Sequence, residues 1–112
     1  YMDTVGEWRK CVQTGPVRFR AETDGVYLDT TAETEIEDAS LGRRLRVGKR
    51  GSRATVVWNP WIAKAQRMPD FGDEEYQRMV CVESGNMALN EIRLSIGQEA
   101  RLKVNLDSSP LT

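Results

Sequence analysis

The chain has 112 residues, of which 39% are hydrophobic and 29% are charged, and 16 Lys and Arg stand against 17 Asp and Glu for a net charge of −1. This length suits one domain with a modest core, and the charge balance favours neither nucleic acid nor an anionic membrane as a partner. No apolar run approaches the roughly 18 residues of a membrane-spanning helix. Histidine is absent, and Cys11 and Cys81 fit no zinc or redox motif. We therefore expect no metal site, no membrane contact and a reducing, cytoplasmic location.

Strand patterns dominate the first half of the chain. Apolar and polar residues alternate at 17–20 and 26–29, which predicts two half-buried strands joined by turn residues at 22–25, ETDG. The same alternation at 34–37 and 44–47 predicts a hairpin over 40–42, with acidic residues facing basic ones.

The second half contains more apolar runs. The run ATVVW at 54–58 predicts a buried strand, and MVCV at 79–82 predicts another. Alternation returns at 91–95 and 100–106, which predicts a pair of strands with a turn at Ile96 and Gly97.

One helix is predicted after the strand at 54–58. Asn59 is a good N-cap and Pro60 a good first helical residue, since the N–H that proline lacks would be unpaired there. Trp61, Ala65 and Met68 recur at helical spacing, and the following proline ends the run. A further short turn is predicted at 73–76, capped by its first aspartate.

Two carboxylates are candidate functional groups. Glu83 ends a buried strand beside a glycine turn, where a partly desolvated general base could lie, although it could equally be the first exposed residue after the core. Asp24 precedes a glycine, which is also ordinary turn chemistry. The pair Trp58 and Trp61 could stack on a sugar or pack in the core. The basic segment at 42–53 fits the wet face of a strand better than a phosphate site, because it lacks P-loop spacing.

The block TVVWNPWIAKAQRMPDFGDEEYQRMVCVESGN at 55–86, with ETDGVYLDT at 22–30 before it, resembles the C-terminal region of the glucose-6-phosphate 1-epimerases. These are the hexose-6-phosphate mutarotases of the aldose-1-epimerase-like superfamily. The resemblance implies an all-β chain, an antiparallel β-sandwich of the galactose-mutarotase-like type with one short helix after WNPW. Residues 1–112 would be the C-terminal portion of that domain.

The resemblance also implies an isomerase that interconverts the α and β anomers of a hexose 6-phosphate without a cofactor. In this family a glutamate takes the proton of the anomeric hydroxyl and a histidine protonates the ring oxygen. By position in the motif, Glu83 would be the general base, and Asp24 would hold sugar hydroxyls.

The chain departs from the family pattern because the histidine and the phosphate-binding arginines belong to an N-terminal part that is absent here. We therefore expect activity only with that missing half. The alternative is a catalytically inactive carbohydrate-phosphate-binding or interaction module. A half-sandwich would expose apolar strands, so association with the missing half or with itself is expected. A plastid location is possible in a plant.

Overall fold

The computed structural model describes all residues from Tyr1 to Thr112, which form two compact units. The first unit comprises Tyr1–Leu28 and Thr55–Glu83, and the second comprises Asp29–Ala54 and Ser84–Thr112. The strands are β1 (Met2–Asp3), β2 (Arg9–Lys10), β3 (Thr23–Tyr27), β4 (Thr34–Asp38), β5 (Arg43–Arg50), β6 (Ala54–Asn59), β7 (Cys81–Gly85) and β8 (Lys103–Pro110). The helix α1 covers Trp61–Arg67, and short 3₁₀ turns cover Ala39–Leu41, Glu75–Arg78 and Ala88–Asn90.

The strands form two sheets, of order β2-β1-β3-β6-β7 and β4-β5-β8. The pairs β1–β2, β1–β3, β3–β6, β4–β5 and β5–β8 are all antiparallel. Antiparallel sheets with a single α-helix agree with the all-β, sandwich-type fold class expected from the sequence. No helix is both long and apolar enough to cross a membrane.

In the first unit, the buried strand predicted at 54–58 is confirmed as β6. Val56 and Val57 are buried on it, and Val26 of β3 and Ala65 of α1 are buried as well. The helix predicted after β6 is also confirmed, although Pro60 precedes its first residue instead of occupying it.

The strand predicted at 17–20 does not form, and the turn predicted at 22–25 is wrong. Residues Thr23–Tyr27 are strand β3, which pairs with β1 on one side and β6 on the other. Backbone hydrogen bonds to two neighbours outweigh the local turn preference of Thr-Asp-Gly. Gly25 has a packing reason within β3: a Cβ atom there would lie 3.2 Å from the Tyr1 ring and 3.3 Å from the Tyr27 ring. Those two rings stack with centroids 4.9 Å apart.

In the second unit, the predicted hairpin of acidic and basic residues is confirmed as β4 and β5. Glu35 lies opposite Arg46 and Glu37 opposite Arg44, with side-chain contacts of 3.4 Å and 3.1 Å. The basic segment is therefore a strand face neutralised by its neighbour, as expected for a solvated surface.

The pair of strands predicted at 91–95 and 100–106 is only half present. Residues 91–95 form no strand, whereas β8 begins at Lys103 and continues to Pro110 because it pairs with β5 along its whole length. The predicted turn is present, since Gln98 N–H donates to the Ser95 carbonyl at 3.0 Å. The short turn predicted at 73–76 is present and continues into the 3₁₀ turn Glu75–Arg78, although Asp73 does not cap it.

Candidate functional site

Glu83 lies in the middle of strand β7, because the strand runs from Cys81 to Gly85 and not over 79–82. Its side chain is exposed, so the partial desolvation expected at the end of a buried strand is not observed. Cys81 is on the same face of the strand, two residues away. Burial raises the pKa of the Cys81 thiol, and the negative charge of Glu83 raises it further. The Glu83 carboxylate therefore lies close enough to the thiol to act on it electrostatically.

Asp24 lies in β3 and is half-buried. Its backbone carbonyl accepts two hydrogen bonds from Thr4, the residue that follows β1. The Thr4 N–H donates at 3.0 Å and the Thr4 hydroxyl at 3.1 Å. These hydrogen bonds hold the backbone of Asp24 in place and do not involve its carboxylate. An aspartate in a paired strand is better positioned to hold a ligand than one in a mobile turn.

The structure places both candidate carboxylates in one sheet of the first unit. Glu83 on β7 and Asp24 on β3 are separated by the single strand β6. Neighbouring strands lie about 4.8 Å apart, so the backbones of β3 and β7 are about 10 Å apart. Neither carboxylate forms a hydrogen bond or ion pair within the chain.

Trp58 is the direct neighbour of Asp24, since the two are paired across β3 and β6. Cross-strand partners have Cβ atoms about 5 Å apart and share one face of the sheet. The indole is partly exposed, and the Lys64 ammonium lies 5.9 Å from its ring centroid. Lys64 also forms an ion pair with Glu22 at 3.4 Å. An indole, a cation and an unpaired carboxylate thus surround this point of the sheet.

Trp61 has a different role from Trp58. Its ring packs against Tyr76, with centroids 5.2 Å apart and the planes tilted by 60°. Its backbone has φ 60°, a left-handed conformation that a bulky residue adopts only when its surroundings hold it there. The tryptophan pair of WNPW is therefore divided between the candidate site and local packing.

Asn59 is a structural residue whose full role the sequence did not reveal. The residue is only 2% exposed, and its side-chain oxygen accepts a hydrogen bond from the Trp61 N–H at 2.9 Å. Its amide nitrogen donates to the Tyr76 carbonyl at 2.9 Å and the Met79 carbonyl at 3.0 Å. It thereby ties the end of β6 to the segment that leads into β7 and Glu83. The sequence predicted Asn59 as the N-cap, a position that Pro60 occupies, and it did not reveal the two distant carbonyls.

An open depression of about 430 Å³ is lined by Gly72, Asp73, Glu74, Glu75 and Arg78. Three of these five residues are acidic, so the depression would repel a phosphorylated ligand. It contains neither Glu83 nor Asp24. No group of three or more His, Cys, Asp or Glu side chains is placed to hold a metal ion.

The sequence is similar to those of known proteins. Residues 4–107 match the family model described as aldose 1-epimerase. The chain is 36% identical over 111 residues to a protein of Cenchrus ciliaris named "putative glucose-6-phosphate 1-epimerase", with 98% of this chain and 33% of that protein covered. Proteins of the same name from Salmonella typhimurium and Escherichia coli are 35% and 34% identical over 85 residues, covering 75% of this chain and 29% of theirs.

The chain thus spans about a third of the length of these relatives. No solved structure matches it significantly.

Proposed function

Because the chain belongs to the aldose 1-epimerase family, we propose that it takes part in interconverting the α and β anomers of a hexose 6-phosphate, with glucose 6-phosphate as the substrate. The matched residues 4–107 include both Glu83 and Asp24. The observation that carries the proposal is the presence of these two unpaired carboxylates on strands β7 and β3 of one sheet. The proposal assigns Glu83 as the general base and Asp24 as a substrate-binding residue.

The chemistry requires one base and one proton donor. Glu83 would accept the proton of the O1 hydroxyl while the O1–H electrons form the C1=O bond and the C1–O5 bond breaks. The ring oxygen O5 gains a proton, the aldehyde rotates about C1–C2, and the reverse steps close the ring on the other face. Atoms and electrons balance with no oxidant or reductant. Exposure of Glu83 is compatible with this role, because the base must reach a substrate that arrives from solvent.

Asp24 would accept hydrogen bonds from sugar hydroxyls. Its neighbour Trp58 supports this role, since an indole face suits the apolar face of a pyranose. Lys64 lies over that indole, and its charge is offset by the ion pair with Glu22. Each of these contacts lies within the first unit.

The 112 residues contain no histidine, the commonest general acid, so the proposal places the proton donor elsewhere. General acid–base groups contribute about 10²–10⁴-fold each, so a chain with only the base should be a poor catalyst. We propose that the donor belongs to residues outside these 112, supplied by a longer polypeptide or a second one. The curated relatives are about three times as long as the part matched here.

Anomer exchange of glucose 6-phosphate, measured by magnetisation-transfer NMR, tests the proposal. The chain is measured alone and mixed with a polypeptide that carries the remaining two-thirds of the Cenchrus ciliaris relative. We expect acceleration in the mixture and a loss of about 10²-fold or more in the Glu83→Gln variant. The matched control is Glu74→Gln, which removes an exposed carboxylate that forms no side-chain cap bond. Acceleration that Glu83→Gln leaves intact would refute the role of Glu83.

The absence of histidine also favours a second candidate, an inactive module that binds the sugar phosphate. Chemical-shift titration with glucose 6-phosphate separates the two. Binding that Asp24→Asn weakens, without any acceleration in the mixture, identifies the module. An absence of both binding and acceleration would exclude both candidates.

A further inference from the structure

The outer edge of β8 has no partner within the chain. The strand runs over eight residues, Lys103–Pro110, and β5 is its single neighbour in the sheet. Such an edge presents a row of unpaired N–H and C=O groups that can pair with another strand. Proline, which blocks such pairing, occurs only at the last position, Pro110. The apolar side chains Leu106 and Val104 are 78% and 42% exposed, although Val47, directly opposite Leu106 on β5, is only 6% exposed.

We infer that this edge pairs with the same edge of a second copy of the chain, so that two β8 strands join antiparallel about a two-fold axis at Asn105. In this register each Lys103 lies opposite Asp107 of the partner, and each Val104 lies opposite Leu106. Opposite charges and apolar pairs in direct cross-strand positions are the combinations that stabilise a sheet. The sequence of β8, KVNLDSSP, is thus complementary to itself when reversed.

The charges already present on β5 support the same register. Lys103 lies opposite Arg50 of its own chain, so two like charges face each other and the pairing is unfavourable by itself. A partner's Asp107 on the other side of Lys103 would offset this repulsion. Asp107 contacts Arg46 of its own chain at 3.5 Å and is 69% exposed in its side chain, which leaves it accessible to a second cation.

The faces of the sheet agree with this arrangement. Ile36, Leu45 and Val47 lie on the side of the sheet that also carries Val104 and Leu106. A two-fold axis perpendicular to the sheet keeps that side common to both copies, giving a six-stranded sheet of order β4-β5-β8-β8-β5-β4. The interface uses the same edge from each copy, so it closes as a dimer and does not propagate.

The other edge of this sheet is less suited to such pairing. Strand β4 is shorter, at five residues, and carries Glu35 and Glu37, which already pair with β5. Two β4 edges would bring these acids together. A shift of the β8 register by two residues, to an axis at Val104, would leave only residues 103–105 of the two strands opposite each other, against residues 103–107 for the axis at Asn105.

Charge-reversal variants test the register directly. Lys103→Asp places two acids opposite each other in a homodimer, and Asp107→Lys places two lysines there. Each change occurs twice by symmetry, so we expect each variant to dimerise about tenfold more weakly or worse than the wild type. A mixture of the two variants restores both opposite-charge pairs, so it should form a heterodimer with wild-type affinity. The control is Asp70→Lys, an exposed turn residue of the first unit, which should dimerise as the wild type does.

Analytical ultracentrifugation and light scattering give the readout, against a chain mass of 12.7 kDa. A wild-type dimer, weakened in both single variants and restored on mixing them, supports the inference. A wild-type monomer at high micromolar concentration overturns it. So does a dimer that neither variant weakens, because another surface would then be responsible. A dimer that Arg101→Asp weakens and Lys103→Asp does not would place the axis at Val104 and overturn the assignment to Asn105.

The inference does not depend on the proposed function. Neither Lys103 nor Asp107 is assigned to the reaction, and the anomer-exchange and association measurements are separate. One can therefore fail while the other succeeds.

Discussion

At the scale of single residues, the exposed Glu83 side chain acts electrostatically on the thiol of its neighbour Cys81. The carboxylate raises the pKa of the Cys81 thiol, in addition to the effect of burial. The reactivity of the Cys81 thiol therefore reports on the position of Glu83 without requiring substrate or turnover. It is useful because the catalytic role of Glu83 is a proposal.

Replacing Glu83 with Gln should lower the thiol pKa of Cys81, because a nearby negative charge disfavours the thiolate and the amide has none. The pKa should remain above its ordinary value, since burial is the larger cause. The measurement is the pH dependence of Cys81 alkylation in a Cys11→Ser background, with Glu74→Gln as the control. An unchanged profile in Glu83→Gln would show that the carboxylate does not face the thiol.

Asn59 should be the most sensitive polar position of the first unit. Asn59→Leu removes three hydrogen bonds and leaves the Tyr76 and Met79 carbonyls without that partner, at a cost of about 2–4 kcal/mol in the free energy of unfolding. Urea denaturation measures this change. Gln66→Leu, the same substitution type at an exposed helix position, should remain within about 0.5 kcal/mol of the wild type. Equal effects of the two substitutions would contradict the structural role of Asn59.

At the scale of elements, the connection between β5 and β6 is sterically tight. Gly51 has φ +76°, and a Cβ atom there would overlap the carbonyl oxygen of Arg101. Asn86 also donates to the Gly51 carbonyl at 2.8 Å, so the turn is held on two sides. Glycine is required here by both conformation and space.

Two alanine substitutions separate those requirements. Gly97 has φ +85°, similar to that of Gly51, but nothing lies within 4 Å of its potential Cβ atom. Gly97→Ala should cost about 1 kcal/mol for backbone conformation alone, whereas Gly51→Ala should cost at least about 2 kcal/mol more because the backbone must move. Thermal or urea unfolding of both variants gives the comparison. Equal costs would show that the contact with Arg101 is not maintained.

At the scale of the whole molecule, stability and association should be linked. A chain that dimerises through β8 gains stability with concentration, because only the folded state binds a second copy. The thermal midpoint of the wild type should therefore rise over a hundredfold increase in concentration, measured by circular dichroism. The midpoints of Lys103→Asp and Asp107→Lys should rise less, and that of their mixture should rise as in the wild type. A concentration-independent wild-type midpoint with a sharp monomeric transition would contradict this expectation.

Much of the fold was predictable, and the exceptions have a common origin. The hairpin of β4 and β5, the buried run in β6 and helix α1 follow from patterns within a few residues, and all are present. The turn at 22–25 and the strands at 17–20 and 91–95 were predicted from equally local patterns, and these predictions were wrong. A strand persists only where another strand pairs with it, and the partner is distant in the sequence.

In the candidate site, too, the residue types could be predicted from the sequence and their relative positions could not. The motif around Glu83 and the ETDG segment identified the two acids, because residue type and order are sequence properties. Their placement on β7 and β3, separated by β6, depends on the order of the sheet. The contacts of Asn59 with Tyr76 and Met79 depend on how the chain returns after α1.

By itself, the sequence determined the hairpin of β4 and β5, the buried run of β6, the presence of one helix after it, the absence of histidine and the family resemblance. Each of these is a property of residues close together in the chain or of residue identity alone. Only the tertiary structure decided that Asp24 lies within a strand, that Glu83 is exposed in mid-strand and that β8 is an open edge. The physical reason is that backbone hydrogen bonds between distant segments determine which side chains are covered and which remain available to a ligand or a second chain.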